Sequence, residues 1–248
     1  DSYILYDILP DSLANDCFDK LKDEVSWENM YHNHKAAKRL VAIQGEKLET
    51  QPIYRFPSDN MMQMKYWSDT TYKIKEYLIN FFGQNINHAK IQYYRDGSDS
   101  ITKHSDKTLD IKMNTNIFNI SFGTNRTFFL KHKKDKTETK IVMPHNSIFV
   151  LGWKTNLLWY HYVNKEDTKL PRISIQFRNI ATYLRQDGKV FGQGGQCKTE
   201  EELEECQYYN LDEGQKVQLI KAFSKENSLD FNWNREYGNG FNVLSLKN

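Results

Sequence analysis

Residues 88–94, 117–122, 126–131, 139–143, 147–151, 157–162 and 172–178 form short apolar stretches, most of them following one another closely with turn-forming residues between. They are rich in Ile, Phe, Val and Tyr, which favour the pleated, half-buried surface of a strand. Short strands at this spacing predict an all-β sandwich or barrel over this part of the chain. The last stretch alternates most clearly: Arg172, Ser174, Gln176 and Arg178 interleave with Ile173, Ile175 and Phe177. Successive side chains leave a strand on opposite faces, so one face of this strand is polar and carries two guanidiniums. No internal repeat of about 20 to 50 residues is visible, which argues against a solenoid or propeller.

Inside this region, His104-Ser105-Asp106 puts an imidazole and a carboxylate on the same face of an extended segment. Together they offer two ligands to one metal ion. His161, in Leu157-Leu158-Trp159-Tyr160-His161-Tyr162, is the candidate third. Two His and one carboxylate on one side of a metal leave positions open for substrate and oxygen, the arrangement of non-haem Fe(II) oxygenases. The same three ligands also suit a hydrolytic zinc site, although no HExxH motif is present. The Arg172–Arg178 strand weighs toward the first reading, because Arg binds carboxylates in a fork and a dicarboxylate beside a metal would use it. Without the metal ligands the same strand reads as an edge strand with a solvated polar face.

The flanks are more ordinary. Asp11-Ser12 caps a helix with Leu13, Cys17, Phe18, Leu21 and Val25 on one stripe. Residues 27–39 are polar, and their His32 and His34 read as solvated or substrate-facing loop residues. Residues 40–43 form a short strand. Ser68 caps a helix over 69–82 that Gly83 ends, with Tyr72, Ile74, Tyr77, Leu78, Phe81 and Phe82 facing the sheet. Residues 131–137 form a basic hairpin tip, either a solvated turn or a phosphate contact. After Arg178 the β pattern stops. A helix is expected over 212–227 with Val217, Leu219, Ile220 and Phe223 inward, followed by Trp233, Tyr237, Phe241 and Val243. So many aromatics predict an extension docked on the core.

Hydrophobic residues make up 39% of the 248, so the aromatics, at 14%, must be buried to build a core. A net charge of +2 is no strong signal for nucleic acid. Three cysteines, Cys17, Cys197 and Cys206, show no metal spacing and suggest a reduced, intracellular setting, cytoplasm or nucleus. No apolar run approaches a membrane span, so no membrane partner is expected. The first residue is Asp, so a trimmed leader stays open. A monomer is expected.

His104-Ser105-Asp106, His161 and Arg172–Arg178, in that order, resemble the AlkB-like 2-oxoglutarate/Fe(II)-dependent oxygenases. The resemblance runs from about residue 39 to 180. It includes Tyr94-Arg95-Asp96-Gly97, Asn119-Ile120-Ser121-Phe122-Gly123 with Arg126, and the segment from His145-Asn146-Ser147 to Gly152. From Phe191-Gly192-Gln193-Gly194 onward the chain looks like the tail of a fungal-type subgroup. One departure is Ser174, where the family has Asn, which puts one contact to the cosubstrate in doubt.

The resemblance implies an α+β fold: a double-stranded β-helix, or jelly roll, at 88–180, with N-terminal helices and a substrate lid at 1–87 and a C-terminal helical extension at 181–248. It implies Fe(II) on His104, Asp106 and His161. It implies 2-oxoglutarate on Arg172 and Tyr94, with Gln92 and Ser174 as further contacts, and O2 as co-reactant. Arg178 is expected near the substrate or beside Asp106. The lid at 39–46 and 53–56 would cover the site, with Tyr54 or Phe56 stacking on a flipped base. The favoured reaction is oxidative demethylation of N-alkylated nucleic-acid bases, supported by Lys35, Lys38, Arg39 and the 131–136 cluster. The alternative is a biosynthetic oxygenase acting on a small anionic metabolite held by Arg55, Arg178, His34 and Lys103. A third reading is a binding module that keeps the fold without catalysis.

Overall fold

The computed structural model describes residues 1–32, 34–46, 49–58, 62–205 and 213–244. Among these, the largest sheet is formed by β1 (Tyr3–Leu5), β2 (Glu28–His32), β3 (Lys35–Gly45), β5 (Met64–Lys65), β6 (His88–Tyr94), β8 (Ile117–Gly123), β11 (Ser147–Leu151) and β13 (Arg172–Arg178). Its order is β1-β11-β8-β13-β6-β3-β2, with β5 pairing parallel to β3. A second sheet, ordered β10-β9-β12-β7, uses β7 (Ile101–His104), β9 (Arg126–His132), β10 (Glu138–Met143) and β12 (Trp159–Val163). A third joins β4 (Thr50–Pro52) to β14 (Thr182–Arg185) and β15 (Val190–Gly192). The pairings other than β3 with β5 are antiparallel, giving a mixed, jelly-roll-like α/β fold.

The alternation in β13 divides the molecule. Ile173, Ile175 and Phe177 point outward, as do Ala89 and Ile91 of β6 and Phe118, Ile120 and Phe122 of β8. Helices α1 (Asp11–Ala14), α2 (Cys17–Glu24) and α3 (Asp69–Phe82) lie on this side, and Ala14, Cys17, Leu21, Ile74 and Leu78 close the core against it. Each buried Ile, Leu or Phe contributes roughly 1.5–3 kcal/mol. On the inner face, Tyr94, Ile117, Phe149 and Leu151 meet Phe128, Leu130 and Val163 of the second sheet. β13 therefore sits at the centre of the sheet, between β6 and β8, and its polar face is buried. A solvated edge strand is excluded.

Several local expectations need correction. Residues 27–39 are not loop: β2 and β3 form a hairpin there, and His34 sits in its turn with φ 60°. The stretch 157–162 begins as helix, α4 (Trp153–Leu158), and only Trp159–Val163 is strand. Ser68 makes no side-chain cap on α3; Glu24 of α2 accepts the Thr70 amide at 2.8 Å instead. Tyr72 and Phe81 stay exposed at the margins of that helix. Strand structure also continues past Arg178, in β14 and β15. These are tertiary effects, in which pairing partners and a capping carboxylate come from distant segments.

The C-terminal part comprises α5 (Glu202–Glu205), α6 (Glu213–Lys225) and α7 (Trp233–Tyr237). Cys206 and Asp212 lie outside the described residues. Leu219, Ala222, Phe223, Tyr237, Phe241 and Val243 pack on Leu109, so the extension is docked as expected, although Val217 and Ile220 face solvent. Arg55 fastens it. Its guanidinium pairs with Asp110 at 2.6 Å and donates to the carbonyls of Phe241 at 2.6 Å, Val243 at 3.2 Å and Gly194 at 2.9 Å. Gly194 must be glycine here, because a Cβ would lie 2.5 Å from Asp110 Oδ1. Glu226 provides a second fastening: its carboxylate accepts the Thr108 amide at 2.8 Å and the Tyr237 hydroxyl at 2.7 Å.

Arg55→Ala leaves the Asp110 carboxylate buried and unpaired, a change that costs about 3–5 kcal/mol. Urea unfolding should show that loss, and limited proteolysis should cut the released extension first. A loss below about 1 kcal/mol would mean the ion pair is not what holds the extension.

Candidate active site

β7 and β12 are neighbours, and their register sets His161 directly opposite His104. Asp106 follows two residues beyond the end of β7. Its backbone is fixed by Asn156 of α4, whose Oδ1 accepts the Asp106 amide at 2.9 Å and whose Nδ2 donates to the Asp106 carbonyl at 2.8 Å. Ser105 Oγ donates to the Trp159 carbonyl at 2.9 Å. The result is a group of three side chains whose ligand atoms lie within 4.8 Å of one another.

The atoms within that group have separate tasks. His104 Nδ1 donates to the Thr102 carbonyl at 2.7 Å, which leaves Nε2 as its lone-pair atom. Nε2 of His104 and of His161 lie 3.9 and 3.8 Å from Asp106 Oδ1. The other carboxylate oxygen, Oδ2, accepts both Nη2 of Arg178 at 2.6 Å and Nε at 3.2 Å. Burial alone would raise the Asp106 carboxyl, but the Arg178 guanidinium holds it well below the usual carboxylate range. Burial pushes both imidazoles down against the pull of Asp106, which favours their neutral forms. Two neutral imidazole nitrogens and one ionised carboxylate oxygen are a donor set that fits a divalent transition metal.

A narrow cleft open to solvent runs from this cluster between the two sheets, with Gln92, Tyr94, Asn119, Arg172 and Ser174 among its lining residues. Arg172 is buried; its Nε donates to Ser121 Oγ at 2.8 Å, and its guanidinium lies 5.2 Å from the Tyr94 ring centroid. Arg126 packs on the same ring at 5.5 Å but donates to the carbonyls of Asp96, Asp99 and Asn164. Gln92 accepts from Arg39 Nε. Ser174 Oγ and Asn119 Oδ1 are buried without a partner, and both residues line the cavity.

The structure thus brings together His104, Asp106 and His161, with Arg178 on Asp106 and with Arg172, Tyr94, Gln92 and Ser174 along the adjoining cavity. Tyr54 also belongs to this group. Its ring lies 4.4 Å from the Arg178 guanidinium and its hydroxyl accepts the Lys107 amide at 3.0 Å. Phe56 packs on Tyr54, 5.4 Å away.

Three expected substrate residues are elsewhere. The Arg55 guanidinium is committed to Asp110 and the extension. Lys103 precedes His104 on a strand, so it leaves by the opposite face and lies over the Tyr160 ring at 5.2 Å. His34 is exposed in the β2–β3 turn. A clamp of Arg55, Arg178, His34 and Lys103 for a small anion is therefore not assembled. Conversely, Asn156 and Asn119 carry no signal in the sequence that separates them from other asparagines.

A family model described as "2OG-Fe(II) oxygenase superfamily" matches residues 1–178. The human DNA oxidative demethylase ALKBH2 is 27% identical over 125 residues, covering 47% of this chain and 48% of that protein. The mouse alpha-ketoglutarate-dependent dioxygenase alkB homolog 3 is 26% identical over 152 residues, covering 57% and 51%. The match to these two thus spans about half the length of each. The solved structure of OsALKBH1 superposes with a TM-score of 0.50 over 72% of this chain and 97% of that one, at 12% identity, a likeness of fold.

The imidazoles of His88, His104 and His161 are all lowered from 6.5, by burial before any other cause. The unfolded chain binds protons there that the folded chain does not, so stability is full above about pH 6.5 and falls as pH drops below it. Asp106 acts in the same direction at lower pH, below the ordinary carboxylate value. Urea unfolding of the metal-free protein should show a declining free energy from about pH 7 to about pH 5. His88→Gln should flatten part of that slope; a slope unchanged by it would remove His88 from the account.

Proposed function

The chain belongs to the 2OG-Fe(II) oxygenase superfamily, and from that premise we propose that it is a 2-oxoglutarate- and Fe(II)-dependent dioxygenase that oxidatively removes alkyl groups from nitrogen atoms of nucleic-acid bases. The observation that carries this reading is the division of Asp106: Oδ1 faces both imidazoles while Oδ2 is held by Arg178, with Arg172 lining the same cavity. His104, Asp106 and His161 would hold Fe(II). When bound, Fe(II) with 2-oxoglutarate and O2 supplies the oxidation of a C–H bond, with release of succinate and CO2.

The remaining roles fall to the chain's own side chains. Arg172 has Nε committed to Ser121, which leaves its terminal nitrogens for a bidentate grip on the distal carboxylate of 2-oxoglutarate. Tyr94 orients that guanidinium by stacking against it. Gln92, fixed by Arg39, and Ser174, whose hydroxyl lacks a partner, face the body of the cosubstrate. Arg178 keeps Asp106 ionised and directed through Oδ1. A target base must leave its stack to reach such a centre, and Tyr54 and Phe56 are the aromatic surface beside Arg178 that would receive it. The similarity to an enzyme named as a DNA oxidative demethylase supports nucleic acid as the substrate class. A nuclear or cytoplasmic setting agrees with Cys17 being a buried free thiol.

Protein supplied with Fe(II), 2-oxoglutarate and methylated oligonucleotides should form succinate and formaldehyde together. Asp106→Ala should abolish both. Arg172→Met should cost about 2 kcal/mol of 2-oxoglutarate binding, a rise of roughly 30-fold in its KM. Succinate formation that methylated oligonucleotides leave unstimulated would sink the nucleic-acid part of the reading.

A further inference from the structure

The inner face of β6 continues from Tyr94 and Gln92 to Lys90 and His88. Lys90 is 7% exposed, yet among the described residues no carboxylate pairs with it. Its ammonium nitrogen contacts Met30 Sδ at 3.6 Å and lies 3.9 Å from the Phe56 ring centroid. Around it are the apolar side chains of Met30, Val41, Ile43 and Met62, with Phe56 packed against them. His88, 2% exposed, stands opposite Arg178 in the register, and its Nδ1 has no partner. Arg178 uses Nε and Nη2 on Asp106, while its Nη1 is buried without a partner. Tyr54 covers both, 4.4 Å from Arg178 and 5.8 Å from His88.

A buried donor without an acceptor is costly, and a buried ammonium without a carboxylate more so. Arg178 Nη1, a buried donor without an acceptor, stands beside a Lys90 amine held only by a thioether and a ring face and beside an unpartnered His88 nitrogen; next to a candidate metal cluster and beneath aromatic rings, this group calls for a ligand that brings acceptors. Among the described residues the nearby acids do not answer this need: Asp106 is committed to Arg178 and the two imidazoles, Asp110 to Arg55, and Asp99 to Arg95. The local charge balance is positive as well. Burial first, then Arg39 and Arg178, push the Lys90 amine well down from 10.5, and Asp106 is the anion that opposes them.

We infer that Lys90, His88 and Arg178 Nη1 form a base-reading wall of the substrate site, and that it selects an uncharged N-alkylated base with a carbonyl oxygen beside the alkylated nitrogen. This rests on the demethylase reading above. Alkylation at N3 of thymine or N1 of guanine leaves a neutral ring with a carbonyl beside the alkyl group. Alkylation at N1 of adenine or N3 of cytosine gives a cationic ring. The first kind supplies a carbonyl acceptor to Lys90 and Arg178 without adding charge, whereas 3-alkylcytosine keeps one carbonyl but brings it on a cation. The second brings a positive charge into a dry site that already holds Arg178 and Arg39, and repulsion there is screened little by water.

The test uses the Fe(II)- and 2-oxoglutarate-loaded full chain with four matched oligonucleotides, carrying 3-methylthymine, 1-methylguanine, 3-methylcytosine or 1-methyladenine. Formaldehyde release gives kcat/KM for each. The neutral lesions should be preferred by about 10-fold or more, the scale of one charged hydrogen bond. Lys90→Met, close in volume and suited to the surrounding cluster, should lower the rate on neutral lesions, raise it on cationic ones and so collapse the ratio. Lys90→Gln, which keeps an amide donor, should retain part of the preference and serves if the Met variant does not fold. Preference for the cationic lesions, or a ratio unmoved in both variants, overturns the assignment and leaves the demethylase reading standing. Turnover of none of the four overturns that reading and this assignment with it.

Discussion

The carboxylate of Asp106 is shared between two tasks, and the site depends on keeping them apart. One oxygen faces two imidazole nitrogens, while the other is held by the forked donors of Arg178. A carboxylate buried this deeply would tend to protonate if it stood alone. The guanidinium keeps it charged and fixes its rotation, so the free oxygen is presented in one direction. Asn156 completes the arrangement by gripping the backbone of the same residue from both sides.

This pairing requires Arg178 to be buried in the middle of a sheet, which only a strand with two different faces allows. β13 uses its apolar side chains to hold the sheet against α2 and α3, and its polar ones to build the cavity wall. The same division runs through β6, where Ala89 and Ile91 face the helices and His88, Lys90, Gln92 and Tyr94 lie on the other side. A slip of one residue in either register would exchange core for site. The hydrophobic packing outside the sheet therefore fixes the chemistry inside it.

The extension acts on the same region from the other direction. Arg55 and Glu226 reach Asp110 and Thr108, which closely follow Asp106 in the chain. Gln193 adds bonds to the carbonyls of Leu109 at 3.0 Å and Ile111 at 2.7 Å. The segment that carries the carboxylate is thus anchored at Asn156 and Arg178 on one side and by the tail on the other. The family model ends at residue 178, so these tail contacts lie beyond the part of the chain that it describes.

Strand periodicity was enough to put His104 with Asp106 and Arg172 with Arg178 on common faces, and their order with His161 carried the family resemblance that implied one site. Local sequence was also enough to expect short strands, the helix over 69–82 and a docked tail. Lys103 was expected at the substrate for its charge, although alternation with His104 sends it to the opposite face, over the Tyr160 ring. Composition does not show where an arginine finds its partner: Arg55 looked like a substrate residue until Asp110 and the tail carbonyls were placed around it. Lys90, one of several polar residues on the inner face of β6, acquires meaning only when Met30, Phe56 and Arg178 converge on it from distant segments. Local sequence determined the elements and the candidate ligands; burial and partnership, which depend on long-range packing, decided which charges serve the fold and which stand at the site.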